Sequence, residues 1–168
     1  NFEGHLGGRV LVHWRNFIYH NERVHSDSFA FRQVKLHLQG KLWKDFEFKV
    51  ELNTTGASVA LDDGYLGMTH WKLLQIRVGQ FKSPMSLEEL TSTRFIDLPE
   101  RSVMNRLIPA RELGIMLHGE IAEKILGYGL MLSNGNGRNG PDENSDKDLI
   151  GRVWFRPAGT AESDYIKN

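Results

Sequence analysis

The stretch Ile76-Arg-Val-Gly-Gln-Phe-Lys-Ser-Pro-Met-Ser-Leu-Glu-Glu-Leu-Thr-Ser92 decides how the rest of the chain is read. It starts as a strand, with Ile76 and Val78 alternating against Arg77 and Gly79. It then meets a Lys-Ser-Pro step, where the proline removes a backbone donor and fixes φ. No further alternation appears until about Leu113. A strand is therefore stopped and followed by a long excursion, residues 82–111. That excursion carries Leu87, Leu90, Phe95, Ile96, Leu98, Val103, Met104, Leu107 and Ile108, too much apolar surface to sit free in water. Long loops of this kind are functional or disordered, and this one is expected to fold against something. A short helix is predicted near Ser86, with Ser86 as its cap and Glu89 at the third helical position.

Working outward, period-two alternation recurs eight times, over residues 9–19, 30–40, 42–52, 57–68, 73–81, 113–118, 126–132 and 149–156. Strand one sets Val10, Val12, Trp14 and Ile18 against Arg9, His13 and Arg15. Strand three sets Phe46, Phe48, Val50 and Leu52 against Glu47, Lys49 and Glu51. Strand four sets Val59, Leu61 and Tyr65 against Ala60, Asp62 and Gly64. Most runs are roughly 9–11 residues, the length a tilted strand needs to cross a bilayer. A soluble sandwich alternates too, so alternation by itself leaves both readings open.

The connections separate them. Tight links are predicted at Gly40-Lys41 and over residues 69–72 and 122–124. Longer ones fall at residues 21–27, 82–111 and 133–147, with a shorter one at 53–56. Sorting of short and long links by side is the habit of outer-membrane barrels. The segment 133–146 is rich in Asn, Gly, Asp and Ser and is expected to be a mobile, solvated surface loop. Trp14, Trp43, Trp71, Phe17, Tyr19 and Tyr65 lie towards strand ends, where interface girdles are found.

Composition removes several classes. Lys plus Arg and Asp plus Glu are both 21 in 168 residues, so a nucleic-acid partner is not expected. Cysteine is absent, which excludes a disulfide framework and thiolate metal sites. The seven histidines show no recognised metal spacing, although His13 and His37 fall on neighbouring strands. No apolar run reaches about 18 residues, so no membrane-spanning helix is predicted. The first residues lack a basic and an apolar leader region, so a secreted chain is expected here in mature or partial form. There is no Gly-x-Ser-x-Gly elbow and no His-Glu-x-x-His. Asn134-Gly-Asn-Gly-Arg-Asn-Gly140 lacks the Lys-Ser/Thr step of a phosphate cradle and reads as turn. Neither an enzyme nor a cofactor is indicated.

The segments Phe31-Arg-Gln-Val-Lys-Leu36, Leu61-Asp-Asp-Gly-Tyr-Leu66 and Arg77 to Leu90, together with Pro99-Glu-Arg-Ser102 and Pro109-Ala-Arg-Glu-Leu-Gly-Ile115, resemble the phosphate-selective porin O and P family of outer-membrane channels. The resemblance is dense over residues 29–115 and weaker out to Arg152-Val-Trp-Phe-Arg-Pro157. It implies an all-β fold, a transmembrane antiparallel up-and-down β-barrel. About eight strands stand here, out of roughly sixteen in the family, so the chain is expected to be an N-terminal half. The family's third loop folds into the lumen, which residues 82–111 should therefore do. The resemblance also implies a bacterial outer-membrane location, contact with outer-membrane lipid, passage of small phosphate-like anions and a possible homotrimer.

A diffusion channel needs no catalytic group, only a wet passage whose fixed charges favour one solute class. Arginine suits phosphate because its planar donors engage two oxygens at once. Strand parity turns Arg9, Arg15, Lys35, Lys49 and Arg77 inward, and the long loop adds Lys82, Arg94, Arg101, Arg106 and Arg111. Of these, Arg77, Arg101 and Arg111 fall within the segments that resemble the family. Inward carboxylates such as Glu47, Glu51 and Asp62 would pair with some of them. Two other readings stay open: a barrel that scaffolds a surface assembly without selective transport, and a soluble β-barrel module.

Overall fold

The computed structural model describes residues 2–16, 28–56, 58–92, 101–121, 125–142 and 144–156. Eight strands form one antiparallel sheet in chain order: β1 (Phe2–Arg15), β2 (Ser28–Leu42), β3 (Phe46–Asn53), β4 (Ala60–Trp71), β5 (Leu74–Lys82), β6 (Arg111–Ile121), β7 (Leu126–Ser133) and β8 (Asp148–Phe155). Each hairpin pairs with the next, the topology of an up-and-down barrel wall. Links at one end are short, residues 43–45, 72–73 and 122–125. At the other end lie residues 16–27, 54–59, 83–110 and 134–147. The predicted sorting of connections is therefore present.

The two faces are inverted relative to a water-soluble protein. Leu6, Val10, Leu36, Val50, Leu66, Val78, Ile115, Leu130 and Val153 are all exposed. Lys35, Lys49, Glu51, Asp62, Asp63, Glu89 and Glu112 are buried, and among the described residues the buried apolar cluster is only Phe81, Met116, Met131 and Ile150. A continuous apolar face of this extent marks contact with a membrane or partner. Buried ions with a greasy exterior suit a wall between lipid and water.

Long-range ion pairs show that the polar face is concave. Arg111 of β6 reaches Glu51 of β3 at 3.7 Å, although three strand spacings amount to about 14 Å in a flat sheet. The right-handed twist and curl of the sheet bring them together.

Three sequence readings are corrected in detail. The β2–β3 hairpin does not turn at Gly40-Lys41. It turns at Trp43 and Lys44, both at positive φ (49° and 70°), because Gly40 is needed within β2. A Cβ there would stand 2.1 Å from the Glu3 carbonyl oxygen. The register slips between Glu51 and Leu52, so Asp62 is the extra residue and both Asp62 and Asp63 are buried. That bulge reverses the phase of β4, and Tyr65 packs against Phe81 on the polar side instead of joining an outer girdle. Finally, His37 pairs with Gly7 and its ring meets His5, centroids 6.0 Å apart, so His13 is not its neighbour.

The remaining described aromatics do collect at the two ends. Trp14 meets Phe29 at a tilt (centroids 4.6 Å apart) at the long-loop end, while Trp43 and Phe46 (6.3 Å) and Trp71 stand at the short-turn end. Phe17 and Tyr19 lie outside the described residues. From Phe31 to Leu42 the strand rises about 36 Å, or about 27 Å along the normal at the usual tilt, matching a bilayer's apolar band.

Candidate functional site

The candidate site is assembled where the third long connection returns to the sheet. Ser83 and Ala110 close its neck, with the Ser83 amide donating to the Ala110 carbonyl at 2.8 Å and the Ser83 hydroxyl to Pro109. Inside the loop a single helical turn, α1 (Leu87–Leu90), starts at Ser86, whose Oγ accepts from the Glu89 amide. The predicted cap is therefore found. The Glu89 carboxylate does not return to the cap. It accepts from Arg101 (2.7 Å) and Asn105 (3.0 Å) of the loop's second limb and from Arg111 (3.4 Å) of β6. Glu88 closes a second clasp, accepting from the Ser102 amide and hydroxyl, each at 2.6 Å. Those two donors hold the Glu88 carboxyl below the usual carboxylate range.

Against this loop stands a network on the polar face of the sheet. Lys35 contacts Glu51 (2.9 Å) and Asp62; Lys49 contacts Asp63 (2.7 Å) and Glu51 (3.1 Å). Arg111 completes it through Asp63 (2.7 Å). Glu51 and Asp63 of this network thus each touch at least two cations, which offsets the large cost of removing ions from water. Lys82 differs, its ammonium donating to the Leu90 carbonyl at 3.4 Å.

These groups surround a cavity of about 160 Å³. Of the residues expected to line a pore, Arg9, Lys35, Lys82, Arg101 and Arg111 do line it. Arg77 does not. It sits in an adjoining chamber, paired with Glu47 at 2.7 Å across Gly67. The glycine makes that reach possible, since a Cβ there would meet Glu47 Cγ at 2.7 Å. Arg15 is exposed at the end of β1, and Arg106 is exposed in the 3-10 turn Val103–Leu107. Arg94 lies outside the described residues.

Lys49, already inward by parity, also lines the cavity. One lining cation was missed, Arg138. The loop 134–147 is not simply solvated: Arg138 pairs with Asp62, Gly137 donates to Glu112 (3.0 Å), and Asn139 donates to Gln80 (2.7 Å). The available signal was an arginine among turn residues opposite an Asp-Asp step, which is slight.

A sheet that turns ions to a shared concave cavity and greasy side chains outward, with short turns at one end and long loops at the other, defines the wall of an outer-membrane β-barrel of the porin class. The chain belongs to the phosphate-selective porin O and P family, whose model matches residues 6–163. It is similar to porin O of Pseudomonas aeruginosa, with 25% identity over 113 residues. That alignment covers 63% of this chain and 26% of the relative, so the match spans about a quarter of that protein's length. Family membership places the protein in the outer membrane of Gram-negative bacteria.

Proposed function

We propose that the polar face lines a pore for passive diffusion of small anions such as phosphate, narrowed by residues 82–111 folded into the lumen. The observation that carries this reading is the charge of the cavity. Seven cations line it, Lys35, Lys49, Lys82, Arg9, Arg101, Arg111 and Arg138, against two lining carboxylates, Glu51 and Asp62. Adding Asp63 and Glu89, which the same cations touch, still leaves an excess of positive charge among the described residues. Such a ring attracts anions and repels cations. The guanidiniums of Arg101 and Arg111 offer the planar donor pairs that phosphate oxygens accept.

The test is the reversal potential of the full-length protein in planar bilayers under a salt gradient. Anion preference is expected, reduced by Arg101→Ala with Arg111→Ala. A cation-preferring pore contradicts the proposal. Absence of any conductance in correctly inserted protein leaves the scaffolding role instead.

A further inference from the structure

Beside the charged cavity lies a second chamber of about 280 Å³ with a different character. The two share Lys49 and Lys82 on their walls. Asp63, Arg77, His118 and Glu120 also line the second chamber, and the rest of its wall is aromatic and apolar, with Tyr65, Phe81, Leu90, Met116 and Trp154. Tyr65 and Phe81 meet edge to face at 5.9 Å, and the Arg77 guanidinium caps the Tyr65 ring at 4.3 Å. Trp154 pairs in register with Gly127, and a Cβ on that glycine would stand 2.2 Å from the indole, so the ring occupies the space the glycine leaves.

Two polar atoms of this chamber are buried without a hydrogen-bond partner among the described residues, Trp154 Nε1 and His118 Nε2. Neither atom presents surface to the open chamber, so what the chamber would hold is read from its walls. Inorganic phosphate needs no apolar wall. An aromatic body does, because rings pack against rings and bury large apolar area. Charge sets the orientation. Glu120 stands in register with Gly127, beside Trp154, at the short-turn end, whereas Lys82 ends β5 at the loop end; Lys49 lies mid-strand, in register with Tyr65 and paired with Asp63. A bound anion therefore directs its head to Lys82, whose ammonium donates to a backbone carbonyl, and its ring towards Met116 and Trp154.

We propose that this chamber is a subsite for small aromatic anions, an aryl group carrying one phosphate or carboxylate head. The inference rests on the anion-pore reading and names a solute class for it.

The experiment compares phenyl phosphate with inorganic phosphate as blockers of chloride conductance through the full-length protein. Half-block by phenyl phosphate is expected at about tenfold lower concentration, the scale of one buried ring. Trp154→Leu should bring the two within about twofold, and an unchanged tenfold preference in that variant overturns the subsite. Equal half-blocking concentrations in the unaltered protein overturn the subsite. Calorimetry in detergent decides the same point without conductance: tighter binding of phenyl phosphate than of inorganic phosphate supports the subsite, and equal binding sinks it. A cation-preferring reversal potential removes the anion pore, whereas equal binding in an anion-preferring pore removes only the subsite.

Discussion

Glu89→Gln takes one negative charge from the cavity network at constant side-chain length, and Arg138→Gln takes one positive charge. Neither leaves a buried ion alone. Without the Glu89 charge, Arg111 keeps Asp63 and Glu51, and the part-exposed Arg101 keeps its bonds to the residue-89 and Thr91 carbonyls; without Arg138, Asp62 keeps Lys35. Counting seven lining cations against Glu51, Asp62, Asp63 and Glu89 gives an excess of three positive charges, four in the first variant and two in the second. A unit charge about 5 Å from a passing ion contributes roughly 0.8 kcal/mol at the dielectric constant of water. Screening at ~0.15 M salt halves this to about 0.4 kcal/mol. Selectivity compares an anion that is attracted with a cation that is repelled, so the difference doubles to about 0.8 kcal/mol, roughly fourfold in permeability ratio. The assay is the reversal potential of each full-length variant in a chloride gradient. Glu89→Gln should raise anion preference about fourfold and Arg138→Gln should lower it about fourfold. Shifts in the same direction, or none in either variant, refute the reasoning.

Val78 is the central residue of β5 and exposed; Val78→Arg should destabilise the protein by about 2–4 kcal/mol in lipid vesicles, read by equilibrium denaturant unfolding, if it faces the bilayer midplane. A cost near zero would mean that this face meets water. Gly79 has φ +129°, and an added Cβ would lie 2.3 Å from the Gly64 carbonyl oxygen; Gly79→Ala should cost about 1–3 kcal/mol in the same assay. The Glu88 clasp gives a pH dependence. Its folded carboxyl titrates below the ordinary value of 4.5, so the opened loop binds the proton more readily. The clasp is therefore complete above that pH and fades as pH falls below it. The protection of the Ser102 amide from hydrogen exchange, relative to its intrinsic rate at each pH, should fall below about pH 4.5, and Glu88→Gln should remove that dependence.

The outward positions were readable because each needs only one apolar side chain at every second residue, as in β6, where Leu113, Ile115 and Leu117 alternate with Glu112, Met116 and His118. The Ser86 cap was legible for a similar reason: its partner is three residues away. What failed depended on register. Composition does not show that Asp62 is the extra residue of a bulge, so the phase beyond it, and with it Tyr65, came out reversed. Gly40 resembled a turn residue, yet its lack of a Cβ serves a close backbone approach from β1. Arg138 was hidden because its partner Asp62 is 76 residues away in sequence. Local spacing carries little information about such a pair.

The account depends most on which face of the sheet meets lipid. The chain has no cysteine, so single cysteines can be introduced and spin-labelled without background. Accessibility to dissolved oxygen, which partitions into lipid, and to a water-soluble nickel chelate should be measured in bilayers at Lys49, Val50, Arg77, Val78, Met116 and Leu117 of the full-length protein. Oxygen should dominate at Val50, Val78 and Leu117, and the chelate at their immediate neighbours. Chelate access at the valines and the leucine, with protection of Lys49 and Arg77, contradicts the account.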